Sequence, residues 1–378
     1  MTTLRLCFIG PANNVTFRRW VEWFTARGHE TTVLTVEPTR EVHHFRQIDI
    51  SCNYGGRKLG RLVSAIRLAS AVRRLCPDVV HAHYLRGLAW GVSLVRFCPI
   101  VVTPWGNDVL EEQGAFKEWY SLPLTKKVFA AANIVAVHSN YMEGRIRPLL
   151  QNGAQVVRIR WGINLQTFRS GLDVETLCQR WNIGRNQPII FSPRLAQPFY
   201  RHDLVIRALF LIKRESPRAV LVIAEQFPDP EYLCELRTLV SNLNLEDHVR
   251  FIGSIPYSDM PLWMNLAHIM VMVPQSDGMP NTLWEAMACG ALPVLNRLPQ
   301  YIEIIEDGIN GLLVEPEPED MARVILQALA TPELKTKAKI RNRELVKAIA
   351  DQDQEMERME GWYGSLRETW REHVAAGR

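Results

Sequence analysis

An apolar run, Ile269 to Pro274, breaks into Ser276-Asp277-Gly278-Met279-Pro280-Asn281. It then continues as Thr282-Leu283-Trp284-Glu285-Ala286-Met287-Ala288-Cys289-Gly290. The run reads as a buried strand, the Gly/Pro/Asn stretch as a tight turn, and the remainder as a helix. A strand, a short loop and a helix in that order leave backbone N–H groups open at the helix start, which suits a phosphate or diphosphate. With Asn281 or Thr282 in the first turn, Glu285 lies about one turn further in. A carboxylate there can accept hydrogen bonds from a ribose diol, while Asp277 stands on the other side of the phosphates. The plainer reading is a helix capped by Asn281 or Thr282 with Glu285 on a solvated face, but capping alone leaves most of the run unexplained.

The rest of the chain alternates in the same way. Leu4 to Gly10 reads as a strand, Val15 to Arg27 as an amphipathic helix stopped by Gly28, and Thr31 to Val36 as the next strand. Asp78–His83, Ile100–Thr103, Ala132–His138 and Gln155–Trp161 follow as strands. The second half repeats the pattern at Ile189–Pro193, Ala219–Ala224, Val249–Gly253, Ile269–Pro274 and Leu292–Asn296. Strands alternating with helices imply α/β layers on parallel sheets, with ligands at the carboxyl ends of the strands. A chain of 378 residues suits two such domains. We expect residues 1–167 and 168–356, with a linker around Leu165–Gln187. The tail from 357 to 378, including Trp362 and Tyr363, should form a helix that returns to the first domain.

Composition narrows the class. The chain is 47% apolar, enough for a core in each half, yet no apolar run reaches the ~20 residues that span a bilayer. The seven cysteines are scattered and carry no zinc spacing, so free thiols in a reducing cytosol are expected. Through Leu165 there are 21 basic and 11 acidic residues, against 23 and 29 beyond it. Part of the basic excess lies on the helical pattern Arg57 to Arg74, either a solvated face packed on a sheet or one that meets an anionic membrane surface. No nucleic-acid recognition motif accompanies the charge. A GxGxxG fingerprint is missing, which argues against a dehydrogenase.

The stretch from Asp277 through Val294 resembles the donor-site signature of retaining GT4 glycosyltransferases, E-G-x-P-N-T-L-x-E-A-M-A-x-G-x-P-V, with Asp277 in place of the first Glu. The resemblance implies the GT-B fold: two Rossmann-like β/α/β domains facing across a cleft, with a C-terminal helix crossing back to the first domain. It also implies transfer of a sugar from a UDP- or GDP-sugar to a hydroxyl acceptor, in envelope polysaccharide or glycolipid assembly. Gly278, Met279, Pro280, Asn281, Thr282, Leu283 and Glu285 would form the donor loop, and Asp277 would hold sugar hydroxyls and favour an oxocarbenium-like transition state. Phe191-Ser192-Pro193-Arg194-Leu195 is similar to the family's strand-end G-R-L, so Arg194 would take the diphosphate. Most relatives place a Lys-Gly pair a few residues later; this chain instead has Gln197-Pro198-Phe199-Tyr200-Arg201-His202-Asp203, and Arg201 is the candidate second cation, at a spacing that is not the usual one. Ile252 and Gly253 would border the base.

The first half would hold the acceptor. Asn13 lies in its first loop. Thr103-Pro104-Trp105-Gly106-Asn107-Asp108 aligns with the family's T-x-H-G-x-D, so Trp105 replaces the usual His and can stack on a sugar. Asp108 and His83 are the remaining polar candidates for the reacting centre. No metal or cofactor is expected, because GT-B enzymes set protein charge and a helix dipole against the diphosphate. The resemblance places the protein in the cytoplasm, at most peripheral at the inner face of the membrane. A GT-B nucleotide-sugar epimerase and a non-catalytic sugar-nucleotide-binding protein are the alternatives.

Overall fold

The computed structural model describes residues 2–51, 56–110, 120–150, 153–184 and 187–376, without the side chains of 56–59, 61 and 62. Cys52 and the first basic residues of the Arg57–Arg74 pattern therefore lie outside the described side chains. The chain divides into two compact units, Met1–Trp161 with Asp353–Arg378, and Gly162–Gln352.

Among the described residues, the first unit is a parallel sheet of seven strands in the order β3-β2-β1-β4-β5-β6-β7. These are β1 (Arg5–Ile9), β2 (Glu30–Thr35), β3 (Arg46–Asp49), β4 (Val79–His83), β5 (Ile100–Thr103), β6 (Ile134–Val137) and β7 (Gln155–Arg158). The central strands β4, β5 and β6 are buried throughout, as strands covered on both faces must be. β3 was not expected: Arg-Gln-Ile-Asp is a short edge strand with no buried residue and no apolar alternation to reveal it. Helix α1 (Val15–Ala26) starts where Asn14 accepts from the N–H groups of Thr16 and Phe17, and Gly28 follows it at φ +88°. Helix α2 (Gly56–Leu75) buries Leu68, Ala71 and Val72 in the core and leaves Arg67, Arg73 and Arg74 exposed.

The C-terminal helix, here α13 (Gln352–Ala375), starts earlier than the tail pattern indicates and belongs to this first unit from Asp353 onward. Met356, Met359 and Tyr363 enter the core beside Phe8, Trp20 and Phe24. Polar bonds fix its position: Trp23 Nε1 to Asp353 at 2.7 Å, the Arg160 N–H to Glu355 at 2.6 Å, and His29 Nε2 to Glu360 at 2.8 Å.

Among the described residues, the second unit is a parallel sheet of six strands, β10-β9-β8-β11-β12-β13. They are β8 (Ile189–Ser192), β9 (Val220–Ile223), β10 (Val249–Phe251), β11 (Ile269–Met272), β12 (Leu292–Asn296) and β13 (Leu312–Val314). In both units the strand order reverses beside the first strand, between β1 and β4 and between β8 and β11. Such switch points open crevices at the carboxyl ends of the strands. The segment expected as a linker does not behave as one. Ile163, Phe168 and Ile183 are buried in the second unit's core, and α5 (Glu175–Trp181) forms within it, because its apolar residues recur often enough to pack. The second unit is entered and left through adjacent extended segments: Ile163 pairs in parallel with Asp351, with its N–H on Ala350 O and its carbonyl accepting from Gln352 N. Gly162 sits at φ +66°, and a Cβ there would lie 2.6 Å from Gln352 Cα, so only glycine fits.

Candidate functional site

The switch point of the second unit collects the polar residues of its carboxyl edge. Arg194 follows β8 and Asp277 follows β11, the two strands that flank the reversal. Arg194 NH2 lies 3.0 Å from Asp277 Oδ2, with both side chains largely buried. The guanidinium also stacks over the Tyr200 ring, 4.7 Å to its centroid. Burial opposes the charge on Arg194, but Asp277, then Tyr200 and Tyr301, outweigh it and raise its pKa. Its Nε is buried and has no hydrogen-bond partner among the described residues, an unsatisfied donor of the kind that calls for an explanation.

Two loops carry this pair, and both are pinned. The Gln275 N–H bonds to Phe199 O at 3.0 Å, and Asn296 Nδ2 holds Pro274 O at 2.8 Å. Behind the Arg194 loop stands His202, fully buried at the start of α6 (His202–Glu215). Its Nε2–H donates to Leu195 O at 2.9 Å, and its Nδ1 accepts from the Ser192 hydroxyl at 2.8 Å. Burial is the main reason its pKa falls to about 4, so the ring is neutral and this bonding pattern is the one a neutral imidazole allows. Arg201 is left-handed, φ +54°, at the cap of α6.

The Ser276–Pro280 loop then turns sharply. Met279 is buried and left-handed at φ +86°, a strained conformation for a residue with a Cβ. Helix α9 (Asn281–Cys289) starts after Pro280 and receives no side-chain cap; Gly290, at φ +89°, ends it. Neither Asn281 nor Thr282 caps it, and Asn281 Oδ1 is buried without a partner. The first N–H groups of α9 are thus open to a ligand. Leu283 has a packing role: its side chain is in the core and its N–H bonds to Pro280 O. Glu285 is 4% exposed and accepts from the Tyr257 hydroxyl at 3.0 Å. Tyr257 comes from the turn after β10, where Ile252 is buried and Gly253, at φ +72°, accepts from the Glu225 N–H.

Asp277 is more constrained than its motif suggests. Oδ1 accepts from the Gly278 N–H at 2.7 Å, and Oδ2 takes both Arg194 and the Tyr301 hydroxyl, the latter at 2.9 Å. Its carbonyl accepts from Gln300 Nε2 at 2.5 Å. Gln300 and Tyr301 come from α10 (Pro299–Ile302). Sequence reasoning passed over them, although their place just beyond the end of β12 was a usable signal. Tyr257 was passed over likewise.

In the first unit the corresponding edge is aromatic. His83, at the end of β4, is 1% exposed and neither ring nitrogen has a partner. Its ring lies against His81, Phe17, Trp20 and Trp161 at 4.0 to 5.2 Å between centroids. His81 bonds to Thr103 at 2.7 Å and to the Tyr363 hydroxyl. Burial, then the neighbouring histidines, pushes the pKa values of His81 and His83 well below the usual range. Trp105 stands edge-on to Trp161 and Tyr84, with its Nε1 unpartnered. Asp108 is fully buried and accepts from the N–H groups of Leu85, Trp105 and Gly106 at 2.7 to 2.9 Å. That is the geometry of a loop staple holding Trp105. Burial raises its pKa against the pull of those N–H groups. Asn13 is exposed after β1, and its carbonyl accepts from Arg18 at 2.8 Å.

Comparison with known proteins covers both units. Residues 173–345 match the model of Glycosyl transferases group 1, and residues 5–139 that of Glycosyl transferase 4-like proteins. The chain is 25% identical over 209 residues to a GDP-mannose-dependent alpha-(1-6)-phosphatidylinositol monomannoside mannosyltransferase of Mycolicibacterium smegmatis. That match covers 52% of this chain and 54% of the relative, so the chain spans about half of the relative's length. It is 22% identical to a D-inositol 3-phosphate glycosyltransferase of Streptosporangium roseum, over 73% of this chain and 67% of that one. Among solved structures, the Anabaena protein HepE, in complex with UDP and glucose, superposes with a TM-score of 0.80 at 16% identity. The superposition covers 96% of this chain and 100% of that one.

Proposed function

Because the chain belongs to the group 1, GT4-like glycosyl transferases and has their GT-B fold, we propose that it transfers a sugar, with retention, from a nucleoside-diphosphate donor to a hydroxyl acceptor. The observation that carries this reading is the Arg194 guanidinium, anchored on one edge by Asp277 and with its buried Nε left unsatisfied among the described residues, beside a loop that leads into the uncapped start of α9. In this reading the diphosphate lies between the guanidinium and the α9 N–H groups, which take up the negative charge of the leaving group. Those charges stand in for a divalent ion. Glu285 accepts from the ribose hydroxyls, and Ile252 and Gly253 border the base. The fixed negative charge of Asp277 favours a cationic sugar in the transition state. Trp105 presents an apolar ring with one N–H to the acceptor.

The acceptor is proposed to be lipid-linked or glycan. The names of the two relatives carry phosphatidylinositol monomannoside and D-inositol 3-phosphate, respectively. Here, exposed Ile66, Leu94 and Phe97 stand among exposed Arg67, Arg73, Arg74 and Arg96 on the first unit. That combination suits an anionic membrane surface. No helix among the described residues is long and apolar enough to cross a membrane.

Thermal unfolding with UDP, GDP, ADP and CMP, chelator present, tests the donor site. One nucleotide at ~100 times its dissociation constant should add about 2.7 kcal/mol. No stabilisation by any of them would sink the reading. Retention is then read from the anomeric configuration of the product by NMR.

A further inference from the structure

The Asp277 carboxylate does not meet Arg194 alone. Tyr301, fully buried, places its hydroxyl 2.9 Å from the same Oδ2 that takes Arg194 NH2. Its neighbour Gln300, 1% exposed, holds the Asp277 carbonyl. Consecutive residues of α10 thus grip the side chain and the backbone of one acid. A carboxylate without such a grip can rotate and take a guanidinium by two parallel bonds, the geometry an arginine fork prefers. Here Oδ1 is already committed to the Gly278 N–H and Oδ2 is shared with a phenol. Asp277 engages one terminal guanidinium nitrogen, and the buried Nε has no hydrogen-bond partner among the described residues.

We infer that Tyr301 is a positioning residue for Arg194. Its hydroxyl fixes Asp277 so that the carboxylate takes one terminal nitrogen of the guanidinium and leaves the Nε edge for the donor diphosphate. This rests on the donor site proposed above. A phenol suits this role. Buried beside a carboxylate, its pKa lies far above the usual range, so it stays a hydrogen-bond donor at every working pH.

The test is a double-mutant cycle on Tyr301→Phe and Arg194→Ala. Calorimetry would use UDP and GDP as probes, with uridine and guanosine as controls, and thermal unfolding would be measured on every variant. In wild-type background, Tyr301→Phe should weaken the diphosphate that binds by about tenfold, the loss of one charge-assisted bond. Binding of the matching nucleoside should not change. In the Arg194→Ala background the same substitution should have no further effect. An equal loss in both backgrounds, or a loss shared by the nucleoside, would show that Tyr301 only supports the fold and would overturn the inference. Unchanged diphosphate binding in Tyr301→Phe would overturn it too. Should Tyr301→Phe fail to fold, Tyr301→Met, which fills the space with a flexible apolar chain and no hydroxyl, carries the same cycle with the same expectations. If wild type binds neither diphosphate, the donor site itself falls and this inference falls with it. Binding without coupling sinks only the role of Tyr301.

Discussion

The Tyr257 hydroxyl donates to Glu285 Oε1 at 3.0 Å, joining the turn after β10 to the middle of α9. The acid assigned to the ribose is therefore oriented by the element assigned to the base. Glu285→Ala should abolish thermal stabilisation by the preferred nucleotide and by its nucleoside. Tyr257→Phe should weaken both by about threefold to tenfold, one hydrogen bond to a charged group. Calorimetric titration checks this, and undiminished nucleoside binding in Glu285→Ala would remove the ribose assignment.

Arg194 and Asp277 are both largely buried, so removing the cation leaves a carboxylate without its partner. Arg194→Ala should lower the unfolding free energy by about 3 kcal/mol and erase the preference for diphosphate over nucleoside. Arg194→Lys keeps the charge but loses the fork, so it should recover most of the stability and little of the affinity. Denaturant titration and calorimetry separate the two effects. Equal affinity in Arg194→Lys would show that only charge matters.

His202 has its pKa lowered to about 4, chiefly by burial. An unfolded chain binds a proton there near pH 6.5, so between about pH 6.5 and 4 the unfolded state holds more protons and stability falls as pH falls. The slope is up to about 1.4 kcal/mol per pH unit for one such group. His138, also lowered to about 4, adds to it, and nothing is lost above pH 7. Melting temperatures from pH 7.5 to 5 should decline, and less steeply in His202→Gln. An identical slope in that variant would count against a His202 held neutral in the fold.

Trp105 belongs to the first unit, whereas the donor residues belong to the second, and its loop is stapled by Asp108. Trp105→Ala should leave nucleotide binding unchanged and reduce transfer to acceptor by about tenfold or more, the contact of one aromatic face. The comparison is donor affinity against transfer rate. A parallel drop in both would place Trp105 in general folding support.

Vesicles containing anionic lipid should retain the protein, and those made of neutral lipid should not. Phe97→Glu with Arg96→Glu should release it, while the melting temperature holds, since both side chains are exposed. Retention by neutral and anionic vesicles alike would mean that charge has no part in it.

Where apolar periodicity was strong, elements could be read from residues alone: α1 from Val15 to Gly28, β5 at Ile100–Thr103 and β12 at Leu292–Asn296 lie where the pattern puts them. β3 escaped because Arg46–Asp49 is an edge strand whose residues carry no buried apolar face, so only its pairing with β2 defines it. At the site, Arg194 and Glu285 were marked as candidates because a short motif surrounds each. Tyr301, Tyr257 and His202 were not. Tyr301 and Tyr257 bond to acids 24 and 28 positions away, and His202 to Ser192 and Leu195 ahead of its own helix; a single buried hydroxyl or imidazole among apolar residues looks like core until its partner is known. The double commitment of Asp277 was invisible for the same reason, because nothing local tells that β8 and β11 lie side by side.

The first unit is written in two pieces with the second unit between them, and that fixes an order of assembly. Tyr363 reaches His81 across nearly three hundred positions, and Met356 and Met359 fill a core begun by Phe8 and Trp20. During synthesis at ~5–20 residues per second, the early half waits roughly ten to forty seconds for the helix that seals it, while the intervening unit is made whole. Its aromatic interior is exposed for that interval, so a cell starved of chaperone capacity should lose this protein to aggregation before any change in its finished stability becomes visible.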